Sequence, residues 1–102
     1  MIYVRIYETE NGSMIAMCDE ELIGKVYREA NVELDLDRYA DFYRGKLLDE
    51  ERARGMIAAE ELYTANIVGD DSVGLFLKQG LVSKSDIKRV QGVPFVHIYK
   101  TE

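Results

Sequence analysis

A strand is joined to a helix in the stretch Ala65-Asn66-Ile67-Val68-Gly69-Asp70-Asp71-Ser72-Val73. Its first four residues are apolar apart from the asparagine, which is typical of a strand inside a sheet. Gly69 ends this run, and Asp70, Asp71 or Ser72 can cap the helix that follows. The stretch therefore predicts a fold in which strands and helices share one core.

Alternating patterns on either side of this stretch predict further strands. Residues 2–7 alternate with period two, Asn11-Gly12 is typical of a hairpin turn, and residues 14–18 return as the second strand. Residues 32–37 alternate between aliphatic and acidic side chains, which indicates an edge strand. Residues 95–100 alternate again and close the chain.

Three helices are predicted between these strands. Asp19 can cap a helix whose apolar stripe reaches Tyr27, and Asp49 can cap the longest helix, which runs to about Tyr63. Gly80 is the expected left-handed end of the third. The pattern predicts an α+β class with a two-layer α/β sandwich, a mixed sheet of about four to five strands and helices mainly on one face.

Composition limits the classes of function. A chain of 102 residues predicts a single compact domain spanning residues 1–102. Its single cysteine excludes an internal disulfide and favours a reducing cytoplasm, and no apolar run is long enough for a membrane span. The formal net charge of −6 argues against non-specific DNA binding, because that affinity comes mainly from lysine and arginine.

Cys18 precedes a predicted helix and is the candidate nucleophile of an alternative, small thiol-dependent enzyme. Neighbouring acids oppose formation of the thiolate, so a structural cysteine is the favoured interpretation. His97 is the only histidine and could pair with Cys18 only if their strands come together. The sequence predicts no resident metal and no cofactor.

The turn after the buried strand is a second alternative site, for a ligand or metal, formed by Asn66, Gly69, Asp70 and Ser72. A strand that meets the start of a helix can bind phosphate through backbone N–H groups. Two carboxylates occupy that position here, so helix capping is the favoured interpretation. Glu33 and its alternating acidic neighbours could likewise hold a hard cation, although a solvated sheet edge is favoured.

The main functional prediction is an aromatic surface on the sheet. It is formed by six alternating side chains of the first and last strands, with two more at its rim: Tyr3, Arg5, Tyr7, Phe95, His97, Tyr99, Phe42 and Tyr43. The six form one patch if those strands are neighbours. Such a patch fits a homo-oligomer or a protein partner, and a local patch of this kind can also stack RNA bases.

Several motifs resemble those of one protein family: Cys18-Asp19-Glu20-Glu21-Leu22-Ile23-Gly24-Lys25, Phe42-Tyr43-Arg44-Gly45, Ala65-Asn66-Ile67-Val68-Gly69, Gly80-Leu81-Val82 and Gly92-Val93-Pro94. Together they look like a small archaeal family known only as a domain of unknown function. The resemblance implies an archaeal cytosolic protein with a compact α/β domain and implies no activity. We therefore expect an uncharacterised, non-catalytic binding or adaptor module that acts through a protein partner, itself free or in an RNA-containing complex.

Overall fold

The structure, a computed structural model, describes residues 1–99. Its strands are β1 (Ile2–Thr9), β2 (Gly12–Asp19), β3 (Val26–Glu29), β4 (Val32–Asp35), β5 (Lys46–Leu48), β6 (Leu62–Val68), β7 (Lys88–Val90) and β8 (Val93–Tyr99). Its helices are α1 (Ala40–Tyr43), α2 (Glu50–Ala58) and α3 (Asp70–Lys78). Across these residues, the helices lack the length and apolar character that crossing a membrane requires.

Six strands form one mixed sheet in the order β5-β1-β2-β6-β8-β7. β2 and β6 are parallel, and the other neighbouring strands are antiparallel. The predicted mixed sheet is confirmed, but it has six strands instead of four to five. β5 and β7 were not predicted, since three residues each give no readable alternation. The predicted edge strand at residues 32–37 instead pairs with β3 in a separate two-stranded sheet.

One side of the main sheet, called here the helix face, is covered by α2 and α3. Val4, Ile15, Met17 and Ile67 project from this side and are fully buried. Phe76 of α3 packs into the same cluster and has no exposed surface. This layer is the main hydrophobic core, and it confirms the predicted position of helices on one face.

The ends of the helices agree in part with the sequence prediction. Asp49 caps α2 by accepting the N–H of Arg52 at 2.8 Å. The prediction that this helix runs to Tyr63 is wrong, because α2 ends at Ala58 and Tyr63 already belongs to β6. Gly80, with φ of +70°, ends α3 as predicted.

The opposite side of the sheet, called here the cleft face, carries smaller side chains such as Ala16 and Cys18. Residues 26–43, called here the covering segment, contain the β3–β4 hairpin and α1 and cover part of this face. Leu36 and Tyr43 come from this covering segment and are buried against Cys18 and Val68. The sheet thus has a helical layer on one side and a partial, mostly non-helical layer on the other.

The helix predicted from Asp19 to Tyr27 is wrong. Glu20–Leu22 form a single 3-10 turn that makes no side-chain capping bond with Asp19. Gly24 then adopts φ of +91°, and the chain continues into β3. Leu22, Ile23 and Tyr27 of this segment pack on the cleft face as part of a turn and a strand instead of a helix, and Val26 is exposed.

Candidate functional site

The strand order separates the two halves of the predicted aromatic surface. Arg5 lies opposite Ala16, Ala16 opposite Asn66, and Asn66 opposite His97 across the sheet. The premise that the first and last strands are neighbours is therefore wrong, because β2 and β6 lie between them. At about 4.8 Å per strand, the two halves are roughly 14 Å apart. They share the cleft face without forming one patch.

The β1 half of the aromatic surface is engaged by α1. Tyr7 stacks on Phe42 with ring centroids 5.3 Å apart, and its hydroxyl donates to the Phe42 carbonyl at 2.8 Å. Arg5 donates to the carbonyl of Asp41 at 2.6 Å, and its guanidinium lies 5.0 Å from the centre of the Tyr7 ring. Tyr3, one register row further along, is half-buried. These contacts dock the covering segment onto β1.

The β8 half is more open to solvent. His97 is exposed, Phe95 is half-buried, and Tyr99 has 58% of its surface exposed. The hydroxyls of Tyr99 and Tyr63 are 2.7 Å apart. The pairing of β2 with β6 shifts register at Tyr63. The pair of Tyr63 and Tyr99 therefore lies at this irregular end of the sheet.

The surroundings of Cys18 do not favour a nucleophile. Burial, together with the nearby negative charges of Asp19 and Glu21, raises the pKa of the Cys18 thiol to about 12. The thiol is fully buried and donates to the carbonyl of Asp19 at 3.4 Å. His97 is two strands away and in another register row, roughly 12 Å along the sheet. The structure therefore does not bring the two residues together.

The turn after β6 is organised by a residue that the sequence analysis placed elsewhere. Asp19, at the end of β2, is 2% exposed and accepts the N–H of Asp71 at 3.0 Å. It also accepts the N–H and the hydroxyl of Ser72, at 2.9 and 2.7 Å. Helix α3 is thus capped across the sheet, and the prediction that Asp70, Asp71 or Ser72 supplies the cap is wrong.

Gly69 is required by this arrangement for two reasons. Its φ is +109°, a conformation that residues with a side chain rarely adopt. A Cβ at this position would also collide with the Asp19 carboxylate. Asp19 therefore occupies the place where the backbone N–H groups of the turn could otherwise hold an anion. Asp70 stands apart, exposed and 4.0 Å from Arg89.

Three carboxylates approach one another beside this turn, within the part of the chain that the structure describes. Ligand atoms of Asp19, Glu21 and Asp71 lie within 4.8 Å of one another. Such oxygens suit a hard cation. Both oxygens of Asp19 already accept hydrogen bonds from α3, however, so its first role is to cap the helix.

The cleft face also contains a cleft of about 400 Å³ between the sheet and the covering segment. Asn66 contributes an amide from the sheet side, and the remaining lining comes from β4, α1 and the turn between them. Those lining residues are three aromatic residues, two leucines and two acidic residues: Tyr39, Phe42, Tyr43, Leu34, Leu36, Glu33 and Asp35. An apolar cleft with a few polar groups has the composition of a binding site.

Asn66 is half-buried and lines the cleft. Its neighbour on β2 is Ala16, whose small side chain is fully buried. None of the side-chain hydrogen bonds found within residues 1–99 involves the Asn66 amide. A half-buried amide without a protein partner is left to solvent or to a ligand. Asn66 therefore presents both a donor and an acceptor to whatever enters the cleft.

Some residues of this cleft were already candidates from their sequence pattern. Asn66, Phe42 and Tyr43 were among the candidate residues, but in separate sites. Tyr39 was not predicted, and Asp35 was interpreted as part of a solvated edge. The signal that could have indicated one shared site was Asn66, because a polar side chain in an otherwise apolar strand requires solvent or a partner beside it.

Comparisons with known proteins agree with the fold. A family model described as "Protein of unknown function (DUF424)" matches residues 7–101. The crystal structure of an uncharacterized conserved protein from Methanopyrus kandleri is similar, with a TM-score of 0.80 and 26% sequence identity. The alignment covers 96% of this chain and 90% of that one. No curated protein matches the chain.

Proposed function

We propose, from the geometry of the cleft, that this chain, which belongs to the DUF424 family of proteins of unknown function, is a non-catalytic binding protein whose cleft face docks a protein partner. The observation that carries this proposal is the Asn66 amide, which makes none of the hydrogen bonds found within residues 1–99 and lines a cleft together with three aromatic residues. Small-molecule and side-chain binding sites combine apolar walls with a few oriented polar groups in this way.

The charge of the cleft supports a protein partner over RNA. The charged residues along its lining are the acidic Glu33 and Asp35, and the whole chain carries a formal net charge of −6. A nucleic-acid backbone would be repelled, since its binding depends on lysine and arginine contacts. The high pKa of the Cys18 thiol also favours a binding role over thiol chemistry, because the reactive species is the thiolate.

An affinity capture with matched variants tests the proposal. Wild-type protein, Asn66→Leu and Tyr39→Ala are used as tagged baits in lysate of the source organism, with and without RNase. Tyr99→Ala is the matched control. Tyr39 and Tyr99 are similarly exposed, at 53% and 58%, but Tyr99 lies outside the cleft. We expect a defined set of proteins that the wild type and Tyr99→Ala retain and that both cleft variants lose, with or without RNase.

Two outcomes would contradict the proposal. If the cleft variants capture the same proteins as the wild type, the cleft is not the docking site. If Tyr99→Ala loses the partners while Tyr39→Ala keeps them, the β8 half of the cleft face is the working surface. Circular dichroism and a urea transition on each bait confirm that a loss of capture does not reflect unfolding.

A further inference from the structure

The covering segment belongs to a different hydrogen-bonded sheet from the strands beneath it. Within residues 1–99, β3 and β4 pair with each other and with no strand of the six-stranded sheet. The N–H of Leu36 donates to the carbonyl of Lys25 at 2.8 Å, so the segment also bonds to its own flanking residue. Backbone ladders join the neighbouring strands of the main sheet, whereas side chains attach the covering segment to it.

Three hydrogen bonds attach the covering segment at opposite sides of the sheet. On the β1 side, Arg5 and the Tyr7 hydroxyl donate to backbone carbonyls of α1, at 2.6 and 2.8 Å. On the far side, the Glu29 carboxylate accepts the backbone N–H of Gln91, in the turn between β7 and β8, at 2.6 Å. These bonds are exposed or only partly buried, so each competes with water and adds little to stability.

The apolar contacts beneath the covering segment form a second, smaller hydrophobic cluster. Leu36 and Tyr43 pack there against Cys18 and Val68. This cluster shares none of its buried residues with the cluster on the helix face. Because the two clusters are separate, the contacts under the covering segment can be lost while the helix-face core stays intact.

Glycines flank the covering segment on both sides. Gly24 has φ of +91° and open space around it, a conformation that glycine adopts without strain. At the other end Gly45 lies against the backbone of β1, where a Cβ would collide with the carbonyl of Val4. Local movement of the segment therefore has defined ends, one at a flexible residue and one at a close contact with the sheet.

We propose that the covering segment opens as one unit while the six-stranded sheet and the helix face stay folded. Opening exposes the Cys18 thiol and the sheet residues beside it. The closed form predominates, because Cys18 is fully buried in it. The inference does not rest on the proposed function and holds whatever the cleft binds. A ligand that contacts the uncovered sheet would increase the population of the open form.

Labelling of Cys18, the single cysteine of the chain, measures this opening on the full protein. A thiol reagent reaches the buried thiol only when the protein opens, and the rate is followed at several urea concentrations below the unfolding transition. The reference is the variant Cys18→Ala with Ala65→Cys. Ala65 is equally buried in the adjacent strand β6, but it belongs to the helix-face core.

We expect Cys18 to be labelled at least about tenfold faster than the Ala65→Cys reporter, after each rate is corrected for the global stability of its protein. The rate for Cys18 should depend weakly on urea and that for the reporter steeply, because local opening exposes less surface than global unfolding. Cys18 should still react at least about a hundredfold more slowly than an unfolded thiol, since the closed form predominates.

Variants at the two attachment sides test whether the segment moves as a unit. Tyr7→Phe removes the hydroxyl on the β1 side, and Glu29→Ala removes the carboxylate at the β7–β8 turn. Each should raise the rate of Cys18 labelling by about threefold to tenfold, the factor for one hydrogen bond. The matched controls are Tyr99→Phe, which loses a hydroxyl contact of 2.7 Å outside the segment, and Glu10→Ala, which removes an exposed acid elsewhere. Both should leave the rate unchanged.

Hydrogen exchange followed by NMR gives a second measure on the unmodified protein. The Leu36 N–H belongs to the covering segment and is bonded within it. Since an isolated hairpin is only marginally stable in water, this N–H loses protection once the segment leaves the sheet. It should therefore exchange with the same opening free energy as Cys18 labelling, whereas amides of β6, which is paired on both sides, should exchange only on global unfolding.

Three results would overturn the inference. If Cys18 and the Leu36 N–H follow the urea dependence of the Ala65→Cys reporter, or of the β6 amides where that variant does not fold, the segment opens only with the whole protein. If the two controls speed the labelling as much as Tyr7→Phe and Glu29→Ala do, the attachments do not control opening. If only one attachment variant speeds it, or if Cys18 and Leu36 report different opening free energies, the segment does not move as a unit.

Discussion

On the helix face, Ile15, Met17 and Ile67 are fully buried beneath α2 and α3, whereas on the cleft face Asn66, the chain neighbour of Ile67, is half-buried and lines an open cleft. These residues alternate along the same two parallel strands, so the difference arises from side chains and not from the backbone. Large aliphatic residues close one face, and small or polar residues keep the other open. A single sheet thus supports a core on one side and a candidate binding site on the other.

The largest expected effect is on the helix face. Phe76→Ala should lower the free energy of unfolding by about 3–5 kcal/mol, because it removes a fully buried ring and leaves a cavity. Phe42→Ala is the matched change on the cleft face, where the ring is half-buried and stacks on Tyr7. It should cost clearly less than Phe76→Ala in urea unfolding. Equal losses would show that the cleft face is packed as tightly as the helix face.

Asp19, the residue at the end of β2 that caps α3, should have the next largest effect. Asp19→Ala leaves the N–H groups of Asp71 and Ser72 without their acceptor and should cost about 2–3 kcal/mol. Asp49→Ala is the comparison, since that carboxylate is exposed and accepts one N–H, from Arg52. Its loss should cost about 1 kcal/mol. A smaller effect for Asp19 than for Asp49 would contradict the role assigned to the cross-sheet cap.

Local signals account for the part of this fold that sequence could predict. The alternation of β1, the hairpin to β2, the Asp49 cap and the Gly80 end each depend on a few adjacent residues, and each was predicted correctly. The Asp19 cap joins residues that are 52 and 53 positions apart, so no local pattern reveals it.

The cleft was harder to predict because it depends on distant segments. Asn66 comes from the sheet, and the walls come from residues 33–43. These meet only after the β3–β4 hairpin and a one-turn helix fold over the cleft face. The alternation of residues 32–37 indicated β4, but β3 was predicted as part of a helix and α1 is a single turn, so the hairpin and its position could not be predicted. The asparagine was visible as an anomaly, but its surroundings were not.

Alkaline pH should weaken the packing between the sheet and its cleft-face cover. Burial raises the pKa of Cys18 from 9.0 to about 12, and burial also raises the pKa of Tyr43 from 10.0 to about 12. The unfolded chain loses these protons first, so stability is complete below pH 9 and falls as the pH rises toward 12. The loss should be at most about 1.4 kcal/mol per pH unit for each group within that window.

Urea transitions at pH 8 and pH 10.5 measure this dependence. Cys18→Ala removes one of the two titrating groups, so its stability should fall less than that of the wild type between these two pH values. Tyr43→Phe is the corresponding variant for the phenol. The same fall in all three proteins would indicate that other groups control the alkaline transition. A folded protein whose Cys18 reacts quickly with a thiol reagent at pH 8 would contradict the burial of the thiol.

The smallest effect on stability is expected at the residue that matters most for the proposed function. Asn66→Leu replaces an amide that has no hydrogen-bond partner within residues 1–99 by an apolar side chain of similar size, so it should change the free energy of unfolding by less than about 1 kcal/mol. Ile67→Asn makes the reverse exchange at the next position, which points into the helix-face core. It buries an amide without a partner and removes a packed side chain, so a loss of about 3 kcal/mol or more is expected. If Asn66→Leu were as costly as Ile67→Asn, the amide would be holding the fold together; a nearly neutral result leaves ligand binding as the reason for a polar group at that position.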